Sequence, residues 1–222
     1  MTMPQAFIFD LDGVITDTAE LHYQAWKRLA DSLEITIDRD FNEKLKGIGR
    51  MESLEKILAL APDQQNLSQE LKDALATKKN DHYVDLLKMI NEEDILPGIK
   101  ALLMRIRKEG IHVGLASASK NAKYVLSELG LIDQFDYIVD AAQVSKGKPD
   151  PETFTRAADY FGVDYNQCIG IEDAPSGVLA VNGAGMFSVA VGSAEALGHA
   201  HYRVDQTSQL DFDTIIEAYS VE

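Results

Sequence analysis

The sequence is short of cysteine, of long apolar runs and of positive charge, and each shortage narrows what the chain can be. Its single cysteine, Cys168, excludes a disulfide within the chain. That cysteine sits in an apolar run, 167–171, with no activating histidine or motif near it in sequence, which fits an inert buried thiol. No stretch approaches the roughly 20 apolar residues that cross a bilayer. The first residues lack a basic stretch followed by an apolar block, so a cytoplasmic location is expected. In that setting the match of Asn66-Leu67-Ser68 to the glycosylation pattern is read as accidental. Lys and Arg number 21 against 36 Asp and Glu, a formal net charge of −15. Such a chain is not expected to wrap a nucleic acid backbone, which needs a basic face. Its mean field also repels anions, so any phosphate site requires local cations.

What remains is an ordinary globular composition, 45% apolar and 26% charged. The 222 residues suffice for one large domain, or for a core with a smaller domain inserted. The run 5–9 is apolar and stops at Asp10-Leu11-Asp12-Gly13, which reads as a buried strand breaking into a loop. Asp17 with Glu20 three residues on resembles a helix start, and Leu21, Ala25, Leu29 and Leu33 then share one helical face. Segments 40–46, 51–60 and 68–90 continue the helical pattern, the last through Leu71, Leu75, His82, Leu86 and Ile90. After Leu96-Pro97-Gly98 the texture changes. Strand-like 113–116, 137–139, 168–171 and 187–191 alternate with helical 99–109, 122–129, 151–161 and 177–182. Alternation of this kind implies a parallel sheet with helices on both faces, interrupted after its first strand by a helical insertion. Domain boundaries are expected at 1–16 with 93–222 for the discontinuous α/β core and at 17–92 for the insertion.

Ligands of an open parallel sheet bind beyond the carboxyl ends of its strands. The predicted strands deliver Asp10 and Asp12, Ser117 and Ser119, and Glu172 and Asp173 to that edge, and the loop after 137–139 carries Lys146, Lys148 and Pro149. Asp10, Glu172 and Asp173 are hard oxygen ligands suited to Mg2+. The metal would offset the repulsion between a carboxylate nucleophile and a phosphoryl group, with Lys148 and the Ser117 hydroxyl holding further charge. Asp12, two residues past Asp10, can act on the attacking or leaving oxygen. A carboxyl in that role typically contributes ~10²–10⁴-fold in rate. Acid pairs on loops are ordinarily solvated or cap a following helix, and Glu172-Asp173 also suits that plainer role.

Asp10-Leu11-Asp12-Gly13-Val14-Ile15-Thr16-Asp17-Thr18 resembles the first motif of the haloacid dehalogenase superfamily. Ser117, Lys148-Pro149 and Glu172-Asp173 resemble its remaining motifs, in the same order. The likeness runs over nearly the whole chain. It implies a Rossmann-like parallel-sheet core with an inserted all-helical cap, magnesium, Asp10 as nucleophile and Asp12 as general acid/base. It also implies that Asp12 gives the metal its backbone carbonyl. Phe41-Asn42-Glu43, 45–50 and Lys78-Lys79-Asn80-Asp81, with 115–121 in the core, resemble the hexose phosphate mutases of the superfamily. By that resemblance Arg50, Ser119, Lys120 and Asn121, with Ala118 among them, hold the phosphate that is not transferred. Gly47, Ile48 and Lys79 would line the sugar, and Thr18 and His22 would position Asp12. The reaction implied is interconversion of β-D-glucose 1-phosphate and D-glucose 6-phosphate, through an aspartyl-phosphate and β-glucose 1,6-bisphosphate as priming intermediate. The alternative is a sugar-phosphate phosphatase with the same nucleophile. Two departures stand out: Gly49 and Ala174 lie where serine is common.

A mutase needs two anion sites, and Lys46, Arg50 and Lys120 are candidates for the second. Lys46 and Arg50 also suit a plainer role as solvated helix-end charges. Gly47-Ile48-Gly49 lacks the third glycine and the preceding strand of a dinucleotide site, and 146–149 lacks the spacing of a P-loop. Trp26 and the tyrosines are too scattered to stack bases. His82, His112, His199 and His201 show no partner in sequence. The expected partner is a small sugar phosphate, with neither nucleic acid nor membrane, and the chain is expected to be monomeric.

Overall fold

The structure is a computed structural model that describes residues 3–45, 48–61 and 67–221. Six strands form one parallel sheet: β1 (Ala6–Phe9), β2 (His112–Leu115), β3 (Tyr137–Ile138), β4 (Cys168–Glu172), β5 (Phe187–Val191) and β6 (Tyr202–Val204). Their order is β3-β2-β1-β4-β5-β6, so the first strand lies in the interior of the sheet. All four residues of β1 are fully buried, as expected of a strand covered on both faces. Its alternation divides two core layers. Phe7 and Phe9 point with Val113, Leu115, Ile169 and Ile171 into one, beneath α5 (Ile99–Lys108), α6 (Ala122–Glu128) and α10 (Phe212–Ser220). Ala6 and Ile8 point with Cys168 into the other, beneath α7 (Glu152–Phe161) and α8 (Pro175–Gly183). The thiol is buried, as its sequence context suggests, and burial pushes its pKa up to about 12.

Phe9 is in register with both Leu115 and Ile171. The residues that follow, Asp10, Ala116-Ser117 and Glu172-Asp173, therefore emerge side by side at one edge. Between β1 and β2 lie α1 (Ala19–Asp31), α2 (Arg39–Glu43), α3 (Arg50–Leu58) and α4 (Gln69–Leu87), with an apolar cluster of their own that includes Trp26, Leu29, Leu54, Ile57 and Ala76. The two chain passages joining these helices to the sheet are tied together. Thr16 bridges Ile95, its hydroxyl donates to the Asp94 carbonyl at 2.8 Å, and the Leu96 amide donates to the Ile15 carbonyl at 2.9 Å.

Three sequence expectations need correction. The expected helix start at Asp17 with Glu20 shifts by one: Thr18 holds the cap position without a side-chain cap bond, Asp17 accepts the Ala19 amide at 3.1 Å, and the Thr18 hydroxyl is spent on Asp12. In α4 the apolar stripe runs one residue off the fully buried one. Leu71 is exposed, whereas Ala76, Lys79, Tyr83 and Leu87 face inward, because a lysine occupies the inner stripe. The last thirty residues add β6, the short α9 (Ala194–Leu197) and α10, none of them anticipated. β6 is a three-residue edge strand with Arg203 at its centre, too short and too polar to show a period.

Candidate active site

The carboxyl edge of the sheet forms the floor of a cavity of about 680 Å³, and α1, α3 and α4 form much of its roof. On the floor Lys148 is fully buried and bridges two acids, its Nζ donating to Asp10 Oδ1 at 2.7 Å and to Glu172 Oε1 at 2.6 Å. Burial alone would lower the lysine pKa, but Asp10 and Glu172 outweigh it and hold the ammonium charged. Burial pushes the Asp10 carboxyl up, to about 7, against the pull of Lys148, with Glu172 adding to the rise. The second oxygen of Glu172 accepts the backbone amides of Asp173 and Ala174, both at 2.9 Å, so this acid organises the turn before α8. A Cβ on Gly177 would come within 1.8 Å of that carboxylate, and one on Gly13, whose φ is +78°, within 2.0 Å of Asp173 Oδ2. Both glycines are required by close approach to the acids. Ser117 is buried and its Oγ accepts the Ser119 amide at 3.1 Å, which leaves its proton to donate into the cavity it lines.

Asp12 links floor to roof. One of its oxygens accepts the Thr18 hydroxyl, which lies 3.0 Å from the Tyr83 hydroxyl. The other lies 3.9 Å from His22 Nε2. Burial raises the Asp12 pKa, partly offset by Thr18. His22 stacks on Tyr83, ring centroids 3.9 Å apart, and its Nδ1 is 2.7 Å from Lys79 Nζ. Burial, then Lys79 and Arg50, push the imidazole pKa well below its ordinary value. With the lysine donating to Nδ1, the neutral ring carries its proton on Nε2, facing Asp12. Lys79 lies over the rings of Trp26 and Tyr83, at 4.7 and 4.6 Å from their centroids. Burial first, and Arg50 second, lower its pKa to about 7.

Asp10, Asp12, His22, Ile48, Arg50, Lys79, Ser117, Ala118, Ser119, Lys120, Asn121 and Asp173 of the expected set all line this one cavity. Thr18, Lys148 and Glu172 stand behind the lining and touch it through their partners. Lys46 and Gly47 lie outside the described residues. Lys146 is exposed and its Nζ sits 3.8 Å from Asp150, so it takes no part. A Cβ on Gly49 would meet nothing within 4 Å, so the space of a serine is present there. Sequence reasoning gave no site role to Trp26 or Tyr83, and quoted Asn80 only as part of the stretch 78–81. A signal existed: His22 and Trp26 on α1, like Lys79 and Tyr83 on α4, are spaced i, i+4 on one face. The remaining histidines stay outside the cavity: His112 stacks on Phe161 at 4.7 Å, and His201 Nδ1 lies 2.7 Å from the Ser188 hydroxyl.

Oxygens of Asp10, Glu172 and Asp173 lie within 4.8 Å of one another. An all-carboxylate donor set of that compactness fits a hard divalent cation such as Mg2+. Among the described residues no helix is long and apolar enough to cross a membrane.

A parallel sheet with an acid at the tip of an interior strand, a lysine bridging it to a second acid and helices roofing the cavity together define a class. Residues 4–185 match the family model of the haloacid dehalogenase-like hydrolases, and the chain belongs to that family. Within it, the chain is 46% identical over 215 residues to the beta-phosphoglucomutase of Bacillus subtilis strain 168, covering 97% of this chain and 95% of that one. It superposes on the crystal structure of beta-phosphoglucomutase from Clostridium difficile with a TM-score of 0.97 at 51% identity, covering 99% and 98% of the two chains. A phosphorylated carbohydrates phosphatase of Thermotoga maritima is 31% identical over 184 residues, covering 82% of each.

Proposed function

We propose that the chain interconverts β-D-glucose 1-phosphate and D-glucose 6-phosphate, the activity of a beta-phosphoglucomutase. The observation that carries this reading is one cavity with two groups suited to phosphate. Asp10 and Ser117 with Lys148 behind them form the floor, and Arg50, Lys120 and Asn121 form a second group. A bisphosphorylated intermediate needs both at once, whereas hydrolysis of a monophosphate needs only the first.

In this reading Asp10 accepts the phosphoryl group on a carboxylate oxygen, and the Lys148 ammonium and Ser117 hydroxyl hold the charge on the transferring oxygens. Asp12 takes the proton from the attacking sugar hydroxyl and returns it to the leaving oxygen, its raised pKa suiting a group that alternates between acid and base. Thr18 and His22 hold Asp12 for that exchange. The side chains of Asp10, Asp173 and Glu172, with the Asp12 carbonyl, would hold magnesium, which would neutralise charge between the nucleophile and the phosphoryl oxygens. Phosphorylated Asp10 donates to the substrate to give β-glucose 1,6-bisphosphate, which turns around and returns its other phosphoryl group to Asp10. Arg50, Ser119, Lys120 and Asn121 bind the distal phosphate in either orientation, while Ile48 and Lys79, with Lys46 and Gly47, contact the sugar. Residues 17–92 act as a cap that closes on the core formed by 1–16 and 93–222, so that water is kept from the aspartyl-phosphate. The chain works as a cytoplasmic monomer.

A second reading, hydrolysis with the same nucleophile, draws on the 31% identity to a carbohydrate-phosphate phosphatase. One assay separates them. With magnesium and a trace of the bisphosphate, β-glucose 1-phosphate should be converted to glucose 6-phosphate much faster than inorganic phosphate appears. Brisk phosphate release without the isomer would sink the mutase reading and leave the hydrolase.

A further inference from the structure

Asn80 follows Lys79 on α4, and its side-chain oxygen collects two donors from different parts of the chain. Arg50 Nη2, at the first position of α3, donates to it at 2.6 Å. Asn121 Nδ2, in the loop after β2, donates to the same atom at 2.9 Å. Two features of Arg50 are unusual. It is a cation at the positive end of a helix, where the dipole favours an anion. In a chain of net charge −15, the hydrogen bond found for its guanidinium goes to a neutral amide oxygen. The acid of the same turn, Glu52, lies 3.4 Å from Lys56 instead. Among the described residues no carboxylate lies within ion-pair distance of this half-buried guanidinium; Asp81 acts on it only from further off, so its donors remain available to an anion.

The donor count explains the arrangement. Arg50 has five N–H groups and the Asn121 amide has two, so one bond from each to Asn80 fixes both side chains and leaves most of their protons for a ligand. The acceptor is neutral, so it orients these donors without competing in charge with a phosphate. Bonds from the same groups to a phosphate would be charge-assisted and roughly twice as strong. The bridge also spans the two sides of the cavity, so it forms only when α3 and α4 lie against the loop after β2.

We infer that Asn80 is a positioning residue, whose side-chain oxygen couples Arg50 to Asn121 so that their remaining donors converge on the phosphate of the substrate that is not transferred. The inference rests on the two-phosphate reading above and deepens it. Asn80 sets affinity for that phosphate and takes no part in transfer at Asp10.

The test compares three variants in steady-state kinetics with β-glucose 1-phosphate, magnesium and saturating bisphosphate, each with a thermal melt. Asn80→Ala should raise KM on the order of tenfold, with kcat altered by less than about threefold, the loss of one well-placed hydrogen-bond acceptor for two donors. Asn80→Asp keeps the acceptor and should restore or raise the melting temperature through an ion pair with Arg50. Its charge then opposes the phosphate, so KM should rise further than in the alanine variant. A purely structural role predicts the reverse, with Asn80→Asp recovering both melting temperature and KM, and that result overturns the inference. So does an unchanged KM in Asn80→Ala while Arg50→Ala raises it. If Arg50→Ala also leaves KM unaltered, the distal-phosphate reading itself fails, and the two failures are thereby told apart.

Discussion

Each half of the molecule buries a lysine, and the two meet opposite surroundings. Lys148, beneath the sheet edge, has a carboxylate at 2.7 Å and another at 2.6 Å and stays charged. Lys79, in the helical roof, has no carboxylate within ion-pair distance among the described residues; it lies between two aromatic rings and against a neutral imidazole, and its pKa falls to about 7. The floor lysine is thus paired before any substrate arrives, while the roof lysine is held short of a counter-charge. In the reading proposed above, the floor carries out the transfer and the roof recognises the substrate.

Several measurements can break or sharpen that contrast. The largest effect should come from Asp10→Asn, which removes the proposed nucleophile; turnover should fall by roughly 10⁴-fold or more, and no phosphorylated protein should be seen by mass spectrometry. Survival of full activity would exclude Asp10 from the chemistry. Asp12→Ala should slow transfer by ~10²–10⁴-fold while magnesium affinity, followed by titration calorimetry, is largely kept. A loss confined to metal affinity would contradict the proton-transfer role. Next comes stability. Lys148→Ala leaves Asp10 and Glu172 buried together without their cation and should cost about 3–5 kcal/mol in denaturant unfolding. Lys79→Met, by contrast, removes a charge that burial already opposes and should leave stability near neutral pH unchanged or raised. Equal losses at the two sites would erase the distinction drawn here.

The pH dependence gives a further check on the roof lysine. Unfolded, Lys79 titrates near 10.5; folded, near 7. The unfolded chain therefore binds more protons across that window, and stability rises with pH through it. Below about 7 the burial penalty is present in full; above it the folded lysine goes neutral and the penalty is relieved up to 10.5. The stability of the wild type relative to Lys79→Met should accordingly climb between these limits. A flat or falling difference would mean that the lysine stays charged in its aromatic cage.

The floor was readable in the sequence because hydrophobic strands ending in acids mark themselves: the run before Asp10 and the run before Glu172 needed no tertiary information. The roof was less so. Lys79 is a charged residue on the inward stripe of α4, and periodicity of apolar residues steers attention to the neighbouring stripe of Leu71 and Leu75. The partnership of Thr18 with Asp12 came only through the family resemblance, because the turn at Gly13 is what brings the two together. The bond partners of Asn80 come from distant segments, so nothing local announces them. Edge elements such as β6 and α9 are too short to carry a period at all.

The position of β1 has a consequence for biosynthesis. Its neighbours in the sheet, β2 and β4, are made long after it, with all four roof helices translated in between. The emerging chain therefore carries an apolar tetrapeptide and its aspartate without a lateral partner until β2 has left the ribosome, and with only one until β4 follows. The helical segment, with its own apolar cluster, can condense early, but the sheet can close only when synthesis is well past its midpoint. The sheet edge that carries Asp10 is therefore completed among the last parts of the molecule rather than the first.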